Sequence, residues 1–74
     1  MEYKKVNVDF GNNLRKIRKT RKIPQDKFAE LCDISRAYYG RIERGEHSAT
    51  IEICDKIARA LGLHISDLFK ELPE

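Results

Sequence analysis

No run in the 74-residue sequence approaches the ~20 apolar residues that a membrane-spanning helix requires. Met1–Phe10 alternates polar and apolar side chains, which leaves no apolar core for a signal peptide. Both absences predict a chain that stays in the cytoplasm and does not engage a membrane. Cysteine is scarce, with only Cys32 and Cys54, and neither has a second Cys or His at ligand spacing. A zinc site wants paired ligands such as C-x2-C, and a reducing compartment disfavours a structural disulfide. Both cysteines are therefore expected as small buried apolar residues. A nucleophile–base constellation and a phosphate-cradling glycine loop are also missing. His47 and His64 stand isolated, so neither an enzyme nor a metal or other cofactor is expected. Internal repeats, linkers and low-complexity segments are absent, and the length leaves no room for a ligand-sensing domain. A single domain of this size buries roughly 60–65 % of the surface that its unfolded chain exposes. Such a core rarely supplies more than about 3–5 kcal/mol, and oligomerisation is a common support.

What is present is charge, unevenly placed. The net charge of +3 says little alone. Residues 1–44 carry 12 Lys+Arg against 6 Asp+Glu, or +6, whereas residues 45–74 carry 3 against 6, or −3. This dipolar layout predicts a basic face for a polyanion and an acidic remainder turned away from it.

Taken in order, residues 1–9 lack periodicity and are expected to form a flexible arm. Phe10, Leu14 and Ile17 recur at helical spacing and predict a first helix of about Phe10–Lys22. Its second half, R-K-I-R-K-T-R-K, either complements the helix dipole or touches phosphate. Arg18 lies at the edge of the buried face, and Glu43 is an available partner for a planar, bidentate ion pair. Ile23-Pro24 ends this helix and opens a second of about Gln25–Cys32, with Phe28, Ala29, Leu31 and Cys32 inward. Asp33 marks a turn that calls for a left-handed conformation. Ser35 is a good N-cap for a third helix, and Tyr39 and Ile42 face inward from it. Arg36, Ala37, Gly40, Arg41 and Arg44 are then left outward, with Tyr38 flanking. A face of arginines and small residues suits close approach to a nucleic-acid groove. Gly45 stops the helix.

Thr50 caps a fourth helix in which Ile51, Cys54, Ile57, Ala58 and Leu61 share one face, and Gly62 ends it. A short last helix is expected at about Ile65–Lys70. Ile53, Leu63, Ile65, Leu68, Phe69 and Leu72 are more apolar surface than one small core can absorb. Such an excess marks a partner surface, and a twofold homodimer is the commonest solution.

With these residues in place, the chain resembles the phage-repressor and Cro-like helix-turn-helix family of transcriptional regulators. The matching segments are L-R-K-I-R (14–18), Q-D-K-F-A-E-L (25–31), S-R-A-Y-Y-G-R-I-E-R-G (35–45) and K-I-A-R-A-L-G-L (56–63). The form R-x-Y-x-G-x-I-E-R-G looks most like small stand-alone members, such as controller proteins of restriction–modification systems. The resemblance implies an all-α, compact, five-helix, lambda-repressor-like DNA-binding domain over residues 10–70, with its motif at 25–45 and a tail at 71–74. It implies base reading by Arg36, Ala37, Gly40 and Arg41. Phosphate contacts fall to Gln25, Tyr38, Arg44, Arg18 and Ser48, and Arg18 and Glu43 form a structural ion pair. It also implies dimerisation through the C-terminal part.

Lys22 and Asp33 stand where the family usually has glycine, and Tyr39, Cys32 and Cys54 replace aliphatic residues. Ala37 and Gly40 lack hydrogen-bonding side chains, so direct readout leans on Arg36 and Arg41, whose forks suit guanine O6 and N7. Much of the remaining specificity is expected to come through DNA shape. The expected function is a homodimeric regulator on a palindromic double-stranded operator, with no small-molecule ligand. An antitoxin-like module that holds a partner protein through its C-terminal surface is the alternative.

Overall fold

A computed structural model describes residues 4–70. Four α-helices, α1 (Lys5–Thr20), α2 (Gln25–Leu31), α3 (Arg36–Glu43) and α4 (Ile51–Leu61), are followed by a 3-10 helix at Ile65–Phe69. The fold is all-α, with no strand among the described residues. The expected count of five therefore resolves into four α-helices and one tighter turn.

Local signals set most boundaries. The Ser35 hydroxyl accepts the Tyr38 N–H at 3.2 Å and starts α3. The Thr50 hydroxyl accepts the Ile53 N–H at 3.1 Å and starts α4. Gly62, at φ +69°, ends α4 in the left-handed conformation that glycine adopts without steric cost. Pro24 occupies the N-cap of α2. Lys22 and Asp33 both take φ +58°, the conformation that a family glycine would supply. Asp33 was expected to do so. Lys22 ends α1 two residues before the predicted boundary.

The largest boundary correction is at the start. α1 begins at Lys5, so residues 5–9 are helical rather than part of an arm, while residues 1–3 lie outside the described chain. The N-cap, Lys4, makes no side-chain capping bond, which is why no start signal could be read. Tertiary contact stabilises this first turn instead. The Asn7 amide donates to the Ser48 hydroxyl at 3.0 Å, and Val8 lies against Gly45, where a Cβ would come within 2.7 Å of its Cα.

The core is built on Leu14, Phe28, Tyr39, Ile42, Ile57 and Leu68. Phe28 meets Tyr39 edge-to-face at 5.3 Å. Ala29, fully buried, lets α2 approach α3 closely. α1 crosses the C-terminal end of α3 at Gly11, where a Cβ would meet the Ile42 carbonyl oxygen at 2.6 Å. The Asn13 amide, itself buried, donates to the Leu68 carbonyl at 2.6 Å and pins the 3-10 helix to α1.

Three apolar assignments change. Leu31 is 55 % exposed and Ile51 82 % exposed, although both were expected inward. Each sits at a helix end, where the neighbouring helix no longer covers it. Leu68, expected on a partner surface, is fully buried. The 3-10 winding turns it between α1 and α4, so it belongs to the core.

Candidate nucleic-acid interface

The unit α2–turn–α3 is held to α1 by a buried ion pair. Arg18 donates from Nε and Nη2 to the two Glu43 carboxylate oxygens at 3.0 and 2.8 Å, and from Nη1 to the Ile23 carbonyl at 2.8 Å. The Gln25 amide donates to the same carboxylate at 3.1 Å. Burial alone would push the Glu43 carboxyl up, but the hydrogen bonds from Arg18 and its neighbours hold it below its ordinary value. The bond to Glu43, against burial, likewise raises Arg18. Both partners stay charged, and the pair behaves as the expected structural tie. Its guanidinium is buried and committed, which argues against the phosphate contact also expected of Arg18.

The Tyr39 hydroxyl is buried beside this pair with no partner in hydrogen-bonding geometry, though it lies close enough to the Glu43 carboxylate to help hold it down. Burial, and then the Glu43 carboxylate, push its ionisation far above that of an ordinary phenol.

On the outer side, Arg36, Ala37, Arg41 and Arg44 are exposed as expected. Tyr38 is half-buried, with its ring 6.0 Å from that of His47. Arg44 donates from Nε to Glu46 at 2.6 Å, which lowers that carboxyl. Ser48 is exposed in the following loop, which its bond to Asn7 ties to α1. Gly40 is the exception. It is buried, and a Cβ there would lie 3.0 Å from Arg44 Nη1 and 3.5 Å from Gln25 Oε1. Two long polar side chains fold across it, so it does not belong to the open face on which the helical spacing placed it. What it supplies is room for Gln25 and Arg44.

Ile53, Leu63 and Ile65 are half-buried against the core, and Phe69 is 44 % exposed while stacked on Phe10 at 5.0 Å. Leu72 lies outside the described residues. Asn7, Val8, Gly11, Asn13 and Arg21 went unread as positioning residues. Arg21 donates to the Leu61 carbonyl at 2.9 Å and ties the end of α1 to the end of α4. Only Gly11 carried a signal, since glycine inside a helix costs about 1 kcal/mol relative to alanine and asks for a reason.

Burial pushes the Cys32 thiol up to about 11 and raises that of Cys54, so both are poor nucleophiles and poor ligands. Among the described residues no cluster of three or more His, Cys, Asp or Glu could hold a metal. No helix among them is long and apolar enough to cross a membrane.

A serine-capped helix with exposed arginines, set against a short partner helix across a tight turn, defines a helix-turn-helix unit, the hallmark of DNA-binding transcriptional regulators. The chain belongs to the helix-turn-helix family HTH_3, whose sequence profile matches residues 14–68. It is 35 % identical to control protein C.MunI of Mycoplasma sp over 90 % of this chain and 92 % of that protein. It is 38 % identical to control protein C.BamHI of Bacillus amyloliquefaciens over 85 % of this chain and 79 % of that protein. Among solved structures it matches the restriction–modification controller protein C.AhdI of Aeromonas hydrophila. That match has a TM-score of 0.83 and 33 % identity, covering 86 % of this chain and 97 % of that one.

Proposed function

We propose that this regulator acts as a homodimer of the restriction–modification controller type. It places α3 of each subunit in the major groove of a palindromic double-stranded operator, in the cytoplasm, and makes or breaks no covalent bond. Arg36 and Arg41 read base edges, and Ala37 lets the helix approach. Gln25, Tyr38, Arg44 and Ser48 meet the flanking phosphates. Gly40 acts by leaving Gln25 and Arg44 free to cross α3. The observation that carries this reading is the exposure of Arg36, Ala37 and Arg41 on a helix whose other side is fixed by the buried Arg18–Glu43 pair. Two subunits would present their helices about 34 Å apart, one turn of B-DNA. Ile53, Leu63, Ile65 and Phe69 are the apolar residues from which the subunits would pair.

The mass of the free protein and of its complex with a bound duplex tests the assembly. Two chains in solution and two per duplex are expected. A single chain per duplex would overturn the homodimer. A tightly co-purifying second protein on the C-terminal surface would favour the antitoxin-like alternative.

A further inference from the structure

A cleft of about 570 Å³ opens where α1 passes the α2–α3 unit, lined by Asn12, Arg15, Arg18, Gln25, Glu43 and Arg44. Three arginines face one carboxylate. That carboxylate is already matched, because Arg18 takes both oxygens and Gln25 one of them. Arg44 is paired in turn with Glu46 at 2.6 Å, so the uncompensated charge at the mouth is that of Arg15. Arg15 and Asn12 line the cleft and are exposed, and their side chains make no hydrogen bond or ion pair with other described residues, so their donors can be turned to a ligand at no cost to the fold. The walls are held in register by the Gly11 crossing and by the Arg18–Glu43 tie.

We infer that this cleft is a phosphodiester seat. Asn12 and Arg15 of α1, together with Arg44, grip a backbone phosphate of the bound duplex beside the groove that α3 enters. The inference rests on the proposed DNA-binding function and extends the contact surface from the helix-turn-helix unit to α1. A guanidinium offers paired donors that match phosphate oxygens, and the asparagine amide adds another. The contact fixes the protein's register on the duplex and carries no base preference.

Arg15→Ala tests it on a duplex selected from a random pool by the wild-type chain, with Arg59→Ala, a cation on α4 away from the cleft, as the control. Arg15→Ala is expected to weaken binding about tenfold at low salt, equally for the selected duplex and for one with a changed base pair. The slope of log affinity against log salt should fall by about one. Arg15→Lys should recover most of the slope, and Arg59→Ala should change neither quantity. Wild-type affinity and slope in Arg15→Ala would overturn the seat while leaving the regulator intact. Loss confined to one base pair would also overturn it, by making Arg15 a base reader. If the wild-type chain selects no duplex, the function itself fails and the seat with it. Inorganic phosphate should compete only weakly, and competition as strong as that of the duplex would reassign the cleft to a free anion.

Discussion

Tyr39 carries a buried hydroxyl with no hydrogen-bond partner, the only such side-chain atom among the described residues. Desolvating a polar group without replacing its hydrogen bond costs roughly 1–3 kcal/mol. Tyr39→Phe keeps the ring against Phe28 and removes that cost, so it should raise stability by about 1 kcal/mol in urea unfolding. A loss of similar size would mean that the hydroxyl is bonded after all. Lys22 offers a second gain. A side chain in the left-handed region costs roughly 1–2 kcal/mol, against the extra chain entropy of glycine, about 0.5–1 kcal/mol. Lys22→Gly should therefore stabilise by about 0.5–1 kcal/mol. A decrease in stability would place the strain elsewhere. Asp33 shares the conformation, but its carboxylate lies 3.8 Å from Lys56 Nζ, so its substitution forfeits that ion pair.

At the scale of elements, two joints fix α1 to α3. At Gly11, the helical preference for alanine, about 1 kcal/mol, opposes a Cβ driven into two backbone carbonyls that cannot rotate away. Overpacking of this kind costs typically 1–3 kcal/mol, and with rigid backbone as the neighbour the clash wins. Gly11→Ala should destabilise by about 2 kcal/mol in the same urea assay, and a stabilising alanine would show that the crossing is loose. The second joint is Arg18–Glu43. Leaving either charge buried alone costs about 3–5 kcal/mol. Glu43 is held below its ordinary value when folded. Its contribution is therefore fully present above the ordinary carboxylate pKa of about 4.3 and lost as pH falls through the lowered folded value. Glu43→Gln should flatten the acid limb of the stability profile, and an unchanged limb would assign acid sensitivity to other carboxylates.

The same elements show what could be read in advance. Ser35, Thr50 and Gly62 announce their helix ends because capping is local chemistry. Arg18 and Glu43 could be paired because Arg18 falls at the edge of the buried face with Glu43 as an available carboxylate, and the resemblance agrees. The start of α1 could not be read, because Asn7 and Val8 hold it through contacts 41 and 37 residues away in sequence, to Ser48 and Gly45. Helical spacing alone put Leu31 and Ile51 inward and Gly40 outward. Burial at helix ends depends on the neighbour's length, and Gly40 is covered by side chains from Gln25 and Arg44 that no periodicity tracks.

For the whole molecule, these parts amount to a small compact body that presents one arginine-bearing helix, with α1 braced against it. On the proposed function, such a body offers few direct base contacts, so pairing and phosphate contacts would supply much of the affinity, and binding should weaken steeply with salt. The central claim is that Arg36 and Arg41 read a sequence. Selection of bound sites from random duplexes, run with the wild-type chain and with Arg41→Ala, tests it most directly. The wild type should enrich a palindrome with half-sites about 10–10.5 base pairs apart. Arg41→Ala should keep the palindrome but lose preference at one base pair in each half, at a cost of about 1–3 kcal/mol on that site. No enriched motif, or an unchanged motif in Arg41→Ala, would contradict the assignment of α3 as the reading helix.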